Sequence, residues 1–275
     1  MKSLFASSLS ALAASALFLA AGSTSANAAD YTWDTVSGDG ATITAASGTW
    51  NTTAGNTVWN SGTTNVIWAQ TSGSAALHNA MFAGTDGTHT VTLRGSMNAQ
   101  SVTFNNSGYT LAAGTLTLKP TGTTNGNITV AANKTTTINS ILRYPHNAGG
   151  ANVTVGLGGT LNLGGGTTAA FNPQFNFSGA GTINFTGGTF TNNSSTSRTA
   201  TYGNAVINLT SGTHAITPGN NAGANISGTT RNVAYNLSGG TLSVNGNTAT
   251  DANAHLAIGN TTGTTFTSSL NVSGS

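Results

Sequence analysis

Short runs of alternating apolar and polar residues, most of them introduced by glycine and threonine, recur along this chain. Gly159-Thr160-Leu161-Asn162-Leu163 returns as Gly181-Thr182-Ile183-Asn184-Phe185, with looser copies at Gly114-Thr115-Leu116-Thr117-Leu118 and Gly240-Thr241-Leu242-Ser243-Val244. A period of two is that of a strand with one buried face. The pairs Val102 and Phe104, Val153 and Val155, Leu161 and Leu163, Ile183 and Phe185, Ile207 and Leu209, and Leu270 and Val272 are therefore expected to point into a common interior, as is Leu237.

The intervals between copies choose the architecture. Gly159 to Gly181 is 22 residues and Asn184 to Asn208 is 24. Coils of that length suit a parallel β-solenoid, whereas a propeller blade needs about 40 residues and its own signature. An antiparallel sandwich would tolerate the composition but would not explain similar text at similar intervals. The predicted fold is all-β, a parallel β-helix with neighbouring coils about 4.8 Å apart, and right-handed, as parallel crossovers of L-residues are. The repeat array is expected over 96–275. Two polar or mixed stretches, Ile141 to Asn147 and Asn192 to Thr201, read as loops leaving the coils. Asn162, Asn184 and Asn208 each sit between two apolar residues and should face outward, where stacked amides can form an asparagine ladder or remain simply solvated.

Residues 29–95 differ from the array. All four tryptophans lie there, at Trp33, Trp50, Trp59 and Trp68, with four of the five aspartates. An array exposes apolar core at its ends and needs a cap of larger side chains, so this segment is read as an N-terminal β cap. The alternative is an aromatic face that contacts glycans through the same tryptophans. Ahead of it, Lys2, the apolar run Leu9 to Ala21 and Ala26-Asn27-Ala28 have the order of a signal peptide over 1–28. Cleavage after Ala28 would leave Ala29 as the mature start. The apolar run is shorter than the roughly 20 residues of a membrane span.

Charge narrows the function classes. Only 4% of residues are charged and the formal net charge is +2. Arg94, Lys119, Lys134, Arg143, Arg198 and Arg231 stand singly, and nucleic-acid binding needs clustered cations. Zero cysteine removes disulfides, thiolate metal sites and cysteine nucleophiles. Glycoside hydrolysis by two carboxyl groups needs them roughly 5 to 10 Å apart, and Asp251 is the lone carboxylate of the array. Asp30, Asp34 and Asp39 read as turn residues beside Gly38 and Gly40. His78, Asp86 and His89 have no spacing that enforces a metal site, and Asp86-Gly87 reads as a hairpin turn. No catalytic residue, cofactor or metal ligand is expected.

Gly179-Ala180-Gly181-Thr182-Ile183-Asn184-Phe185-Thr186-Gly187-Gly188 resembles the autotransporter-associated β-strand repeat, and Gly158-Gly159-Thr160-Leu161-Asn162-Leu163-Gly164-Gly165 is a weaker copy. The run from Gly108 to Val130 and the tryptophan-rich opening resemble what precedes such repeats. The resemblance implies an exported bacterial β-helix of passenger type. It also implies a C-terminal membrane barrel, yet the sequence stops at Ser275 inside a repeat phrase, so an N-terminal fragment is expected, with membrane attachment only through a missing anchor or barrel. The expected role is a structural β-helix, secreted or displayed at the cell surface or outer membrane, that touches glycans or other cells. The alternatives are a polysaccharide-degrading lyase or hydrolase built on a similar helix, and a tryptophan-based carbohydrate-binding module.

Overall fold

The computed structural model describes residues 28–70, 78–119, 125–144, 150–167, 174–193, 200–217, 224–227, 232–244, 256–258 and 268–273. The expected signal peptide lies outside them up to residue 27, Ala26 included. Among the described residues every regular element is a strand.

The chain is a parallel β-solenoid. One sheet has 11 strands. Along it, Ala29–Trp33, His78–Phe82, Ser101–Phe104, Asn127–Val130, Ala151–Val155, Phe175–Gly179, Ala200–Gly203, Ala224–Ser227 and Leu256–Ile258 follow one another in chain order, all parallel. Among the described residues a second sheet of 10 strands runs from Gly48–Trp50 through His89–Leu93, Tyr109–Ala112, Thr135–Ile138, Thr160–Leu163, Thr182–Asn193, Val206–Thr217 and Val233–Leu237 to Ser268–Val272, with Thr241–Val244 off this path beside Val206–Thr217. Each coil thus adds one strand to each sheet. Register is strict: Leu161, Ile183 and Ile207 are stacked partners, as are Leu163, Phe185 and Leu209. All six are buried. The alternating pattern read from sequence therefore becomes columns of like side chains running along the axis.

A third face was not foreseen. Ser96–Ala99, Thr115–Leu118 and Ile141–Arg143 form a three-stranded parallel sheet. Leu142 then bridges to Thr167, whose amide donates to the carbonyl of Thr189 at 2.9 Å. The strands Thr182–Asn193 and Val206–Thr217, 12 residues each, start on the second sheet, break register near Thr186 and finish on this face. Glycine makes that corner. Gly188, Gly212 and Gly240 stack with φ of 64°, 78° and 72°. A Cβ on Gly212 would lie 2.5 Å from the Gly188 carbonyl oxygen, and one on Gly240 2.5 Å from that of Gly212.

This face corrects the two predicted loops. Ile141–Arg143 is a strand with Leu142 buried, and Tyr144 beside it is buried too. Asn192 lies next to the end of Thr182–Asn193 and is wholly buried, and Ala200–Gly203 is a strand of the first sheet. Only 145–147 and 194–199 of those stretches lie outside the described residues. Both were misread because their inward positions are few or polar. At the other end of the array, Leu237 and Leu270 pack against the core only partly, and Val272 is 67% exposed. Ser268–Val272 is the last strand of its sheet, with a neighbour on one side only.

The N-terminal segment carries the stack to its start. Ala29–Trp33 pairs parallel with His78–Phe82, then antiparallel with Trp59–Asn60, which pairs antiparallel with Asn65–Val66. Phe82 stacks on Phe104, its register partner, with centroids 5.0 Å apart, and touches Trp33, Trp50 and Trp59 on its other side. The aromatic interior of this segment is thus continuous with that of the coils.

Candidate functional site

The outward rows of the solenoid are its most regular chemical feature. On the second sheet Asn184 Nδ2 donates to Asn162 Oδ1 at 2.8 Å, and Asn208 Nδ2 to Asn184 Oδ1 at 2.8 Å. Asn236 continues to Asn208 at 2.7 Å and Asn271 to Asn236 at 2.8 Å, while Asn162 reaches back to Thr137 Oγ1 at 3.3 Å. Every amide donates toward the start of the chain, so the dipoles align and each bond polarises the next. Asn236 and Asn271 were missed at sequence level, although Tyr235-Asn236-Leu237 and Leu270-Asn271-Val272 carry the same apolar–Asn–apolar signal.

A second row runs along the first sheet. Asn79 donates to Asp30 at 2.8 Å, Ser101 to Asn79 at 2.7 Å, Asn152 to Asn127 at 3.3 Å and Asn176 to Asn152 at 3.4 Å. From Gly150 onward, no described residue is Asp, Glu, Lys or Arg. Arg198, Arg231 and Asp251 lie outside the described residues. The described faces there present amides and hydroxyls without charge.

The tryptophans face the other way. Trp33, Trp50, Trp59 and Trp68 are all 0% exposed. Trp59 lies 5.3, 4.8 and 4.5 Å from Trp33, Trp50 and Trp68, centroid to centroid. Trp33 Nε1 donates to the Ala46 carbonyl at 2.9 Å, and Trp68 Nε1 to that of Asn98 at 3.1 Å. None of the four indoles offers a free ring on which a sugar can stack. The reason is volume: beyond the first coil the cap must fill the solenoid's cross-section with few residues, and indoles fill it best.

The carboxylates are structural in their surroundings. Asp34 is fully buried and accepts from the amides of Val36 and Thr44, each at 3.2 Å, and from Asn60 Nδ2 at 3.1 Å. Asp86 accepts from the Ser107 amide at 2.7 Å and pairs with Lys134 Nζ at 2.9 Å. Those two interactions, the backbone bond first, lower its pKa. His78 stacks on Tyr31 at 4.1 Å, and burial lowers its pKa. The expected hairpin at Asp86 is instead a corner between two coil strands, His78–Phe82 and His89–Leu93, which lie in different sheets. Among the described residues no three His, Cys, Asp or Glu come together as a metal site. His146, His255 and Asp251 lie outside them.

His214 is different. It is fully buried on the third face, in register with Phe190 and Leu242. Its Nε2 lies 3.1 Å from the Tyr202 hydroxyl and its Nδ1 2.6 Å from that of Tyr235. Asn192 Nδ2 donates to the Tyr202 hydroxyl at 2.8 Å and to the Phe175 carbonyl at 2.9 Å, and Asn192 Oδ1 accepts from the Phe175 amide at 2.8 Å. Burial holds the imidazole pKa down to about 3 and raises both phenols.

Among curated proteins, the chain is 35% identical over 204 residues to the Adhesin BmaC autotransporter of Brucella suis biovar 1 (strain 1330). This chain is a relative of an autotransporter adhesin. The match takes in 74% of the chain and 5% of the adhesin. It agrees with the parallel solenoid and with the repeat phrases at Gly159 and Gly181. No family model matches the chain. No solved structure matches it significantly. No helix among the described residues is long and apolar enough to cross a membrane.

Proposed function

We propose that the chain is an exported, surface-displayed passenger segment that acts by adhesion and not by catalysis. The observation that carries this reading is the relationship to an autotransporter adhesin in a chain whose array presents uncharged amide and hydroxyl rows. The mechanism is shape and repetition. One neutral hydrogen bond at a wet surface contributes little. Many such groups held at a fixed pitch on a rigid rod turn later contacts into intramolecular ones. The partners are glycans or other cell surfaces. Export to the bacterial surface would use the N-terminal leader.

The test is adhesion by the purified chain. Beads coated with it should bind cell or glycan surfaces, and soluble chain should compete. Binding should persist in high salt, because no ion pairs carry it. Salt-labile binding, no binding at all, or depolymerisation of an offered polysaccharide would contradict the reading.

A further inference from the structure

The buried polar chain crosses the interior and joins four residues from four strands. Asn192 and His214 come from the third-face ends of Thr182–Asn193 and Val206–Thr217, Tyr202 from Ala200–Gly203 of the first sheet and Tyr235 from Val233–Leu237 of the second. The Tyr202 oxygen accepts from Asn192 and its hydroxyl faces His214 Nε2, while the Tyr235 hydroxyl faces Nδ1. A neutral histidine satisfies this arrangement, with one nitrogen accepting and the other donating.

We propose that this chain is an acid-sensitive latch that holds the coils carrying Ala200–Gly203, Val206–Thr217 and Val233–Leu237 together and releases them when His214 gains a proton. Protonation converts the accepting ring nitrogen to a donor, and it then faces the hydroxyl proton of its tyrosine. That proton must turn away into a shell of rings: the Tyr202 ring, whose hydroxyl also accepts from Asn192, packs against Phe177 and Tyr235 with centroids 5.3 and 6.4 Å apart. The imidazolium gains an attraction to Phe185, 4.3 Å away. That offsets only part of the loss of all its water. The packed elements supply Phe185, Phe190 and Asn192, Tyr202, Tyr235 and Leu242 around the ring. Among the described residues no carboxylate faces His214 to stabilise its charge.

The sign follows from linkage. The folded imidazole stays neutral down to about pH 3, while the unfolded one protonates near 6.5. Stability from the latch is complete above that value and is lost as pH falls through the window between the two. The opening constant of these coils should rise about tenfold per pH unit below about 6.5, reaching about a hundredfold at pH 4.5.

Hydrogen exchange read by mass spectrometry tests this, with protection factors corrected for intrinsic rates at pH 7 and pH 4.5. Peptides spanning 200–217 and 233–237 should lose protection about a hundredfold and regain it at pH 7. Peptides spanning 101–104 and 127–130 should change far less. Peptides from His78–Phe82 report the other buried histidine separately. His214→Gln should abolish the pH dependence in 200–217, and Tyr202→Phe, which removes one of the two hydroxyls facing the ring, should weaken it. Wild-type protection that is equal at the two pH values overturns the proposal, even if neither variant folds. Unchanged pH dependence in His214→Gln overturns it as well.

Discussion

Asn208 donates through Nδ2 to the Oδ1 of Asn184, one coil earlier, at 2.8 Å. Asn184 makes the same bond to Asn162, so it stands mid-ladder as both donor and acceptor. Removing it breaks two ladder bonds, while removing Asn271 breaks one, to Asn236, with a long local contact to Ser269 Oγ at 3.4 Å. At about 0.5–1.5 kcal/mol per bond, and toward the low end because these amides are partly exposed, Asn184→Ala should cost about 1–2 kcal/mol. Asn271→Ala should cost about half that. Denaturant unfolding checks the ratio, and equal or negligible losses would mean that the ladder is ornamental.

The corner glycines make a second, sharper prediction. Gly212 and Gly38 both have positive φ, at 78° and 94°. A Cβ on Gly212 would strike the Gly188 carbonyl, whereas around Gly38 nothing lies within 4 Å. Gly38→Ala should therefore cost only the left-handed backbone penalty of about 1–2 kcal/mol. Gly212→Ala must also move a neighbouring coil, and should cost clearly more or block folding. Thermal midpoints of the two variants decide it.

Tyrosine ionisation reports the core from the alkaline side. Burial raises the pKa of Tyr109, Tyr202 and Tyr235 above the ordinary phenol value. These groups contribute stability that is fully present below about pH 10, the unfolded value, and is lost as pH rises beyond it. Absorbance at the phenolate band should show them silent until the chain unfolds, and then titrating together with loss of β structure. Their smooth titration in folded protein would contradict the burial.

Burial of all four indoles predicts blue-shifted tryptophan emission resistant to a soluble quencher. Added oligosaccharides should leave it unchanged. Red emission, or a saturable change with sugar, would restore the aromatic face as a binding site.

Much of the solenoid was legible because its first two faces follow the strand period with apolar residues. Ile183 and Phe185 announce their inward direction, and the copies one coil away announce the stacking. Thr115–Leu118 of the third face carried the same signal, but the rest of that face was hidden by its chemistry. Its inward positions include Asn192 and His214, polar residues that read as loop or as isolated histidine until the hydrogen bonds to Tyr202 and Tyr235 are seen. The turn of a 12-residue strand around Gly188 also breaks the period of two at the point where it would have helped. In the cap, tryptophan identity was plain but direction was not, since an indole suits a core and a sugar-binding face equally.

Successive coils stack in parallel, in register and along one axis. Thr32, Met81, Thr103, Thr129, Thr154 and Ser178 form one row of register partners. The chain has no cysteine, so spin labels can be placed on chosen pairs of that row and their separations measured by pulsed electron resonance. Stacked strands predict about 14 Å from Thr32 to Thr129 and about 24 Å from Thr32 to Ser178, a steady gain of about 4.8 Å per coil. Separations that fail to grow with coil number would contradict the stack.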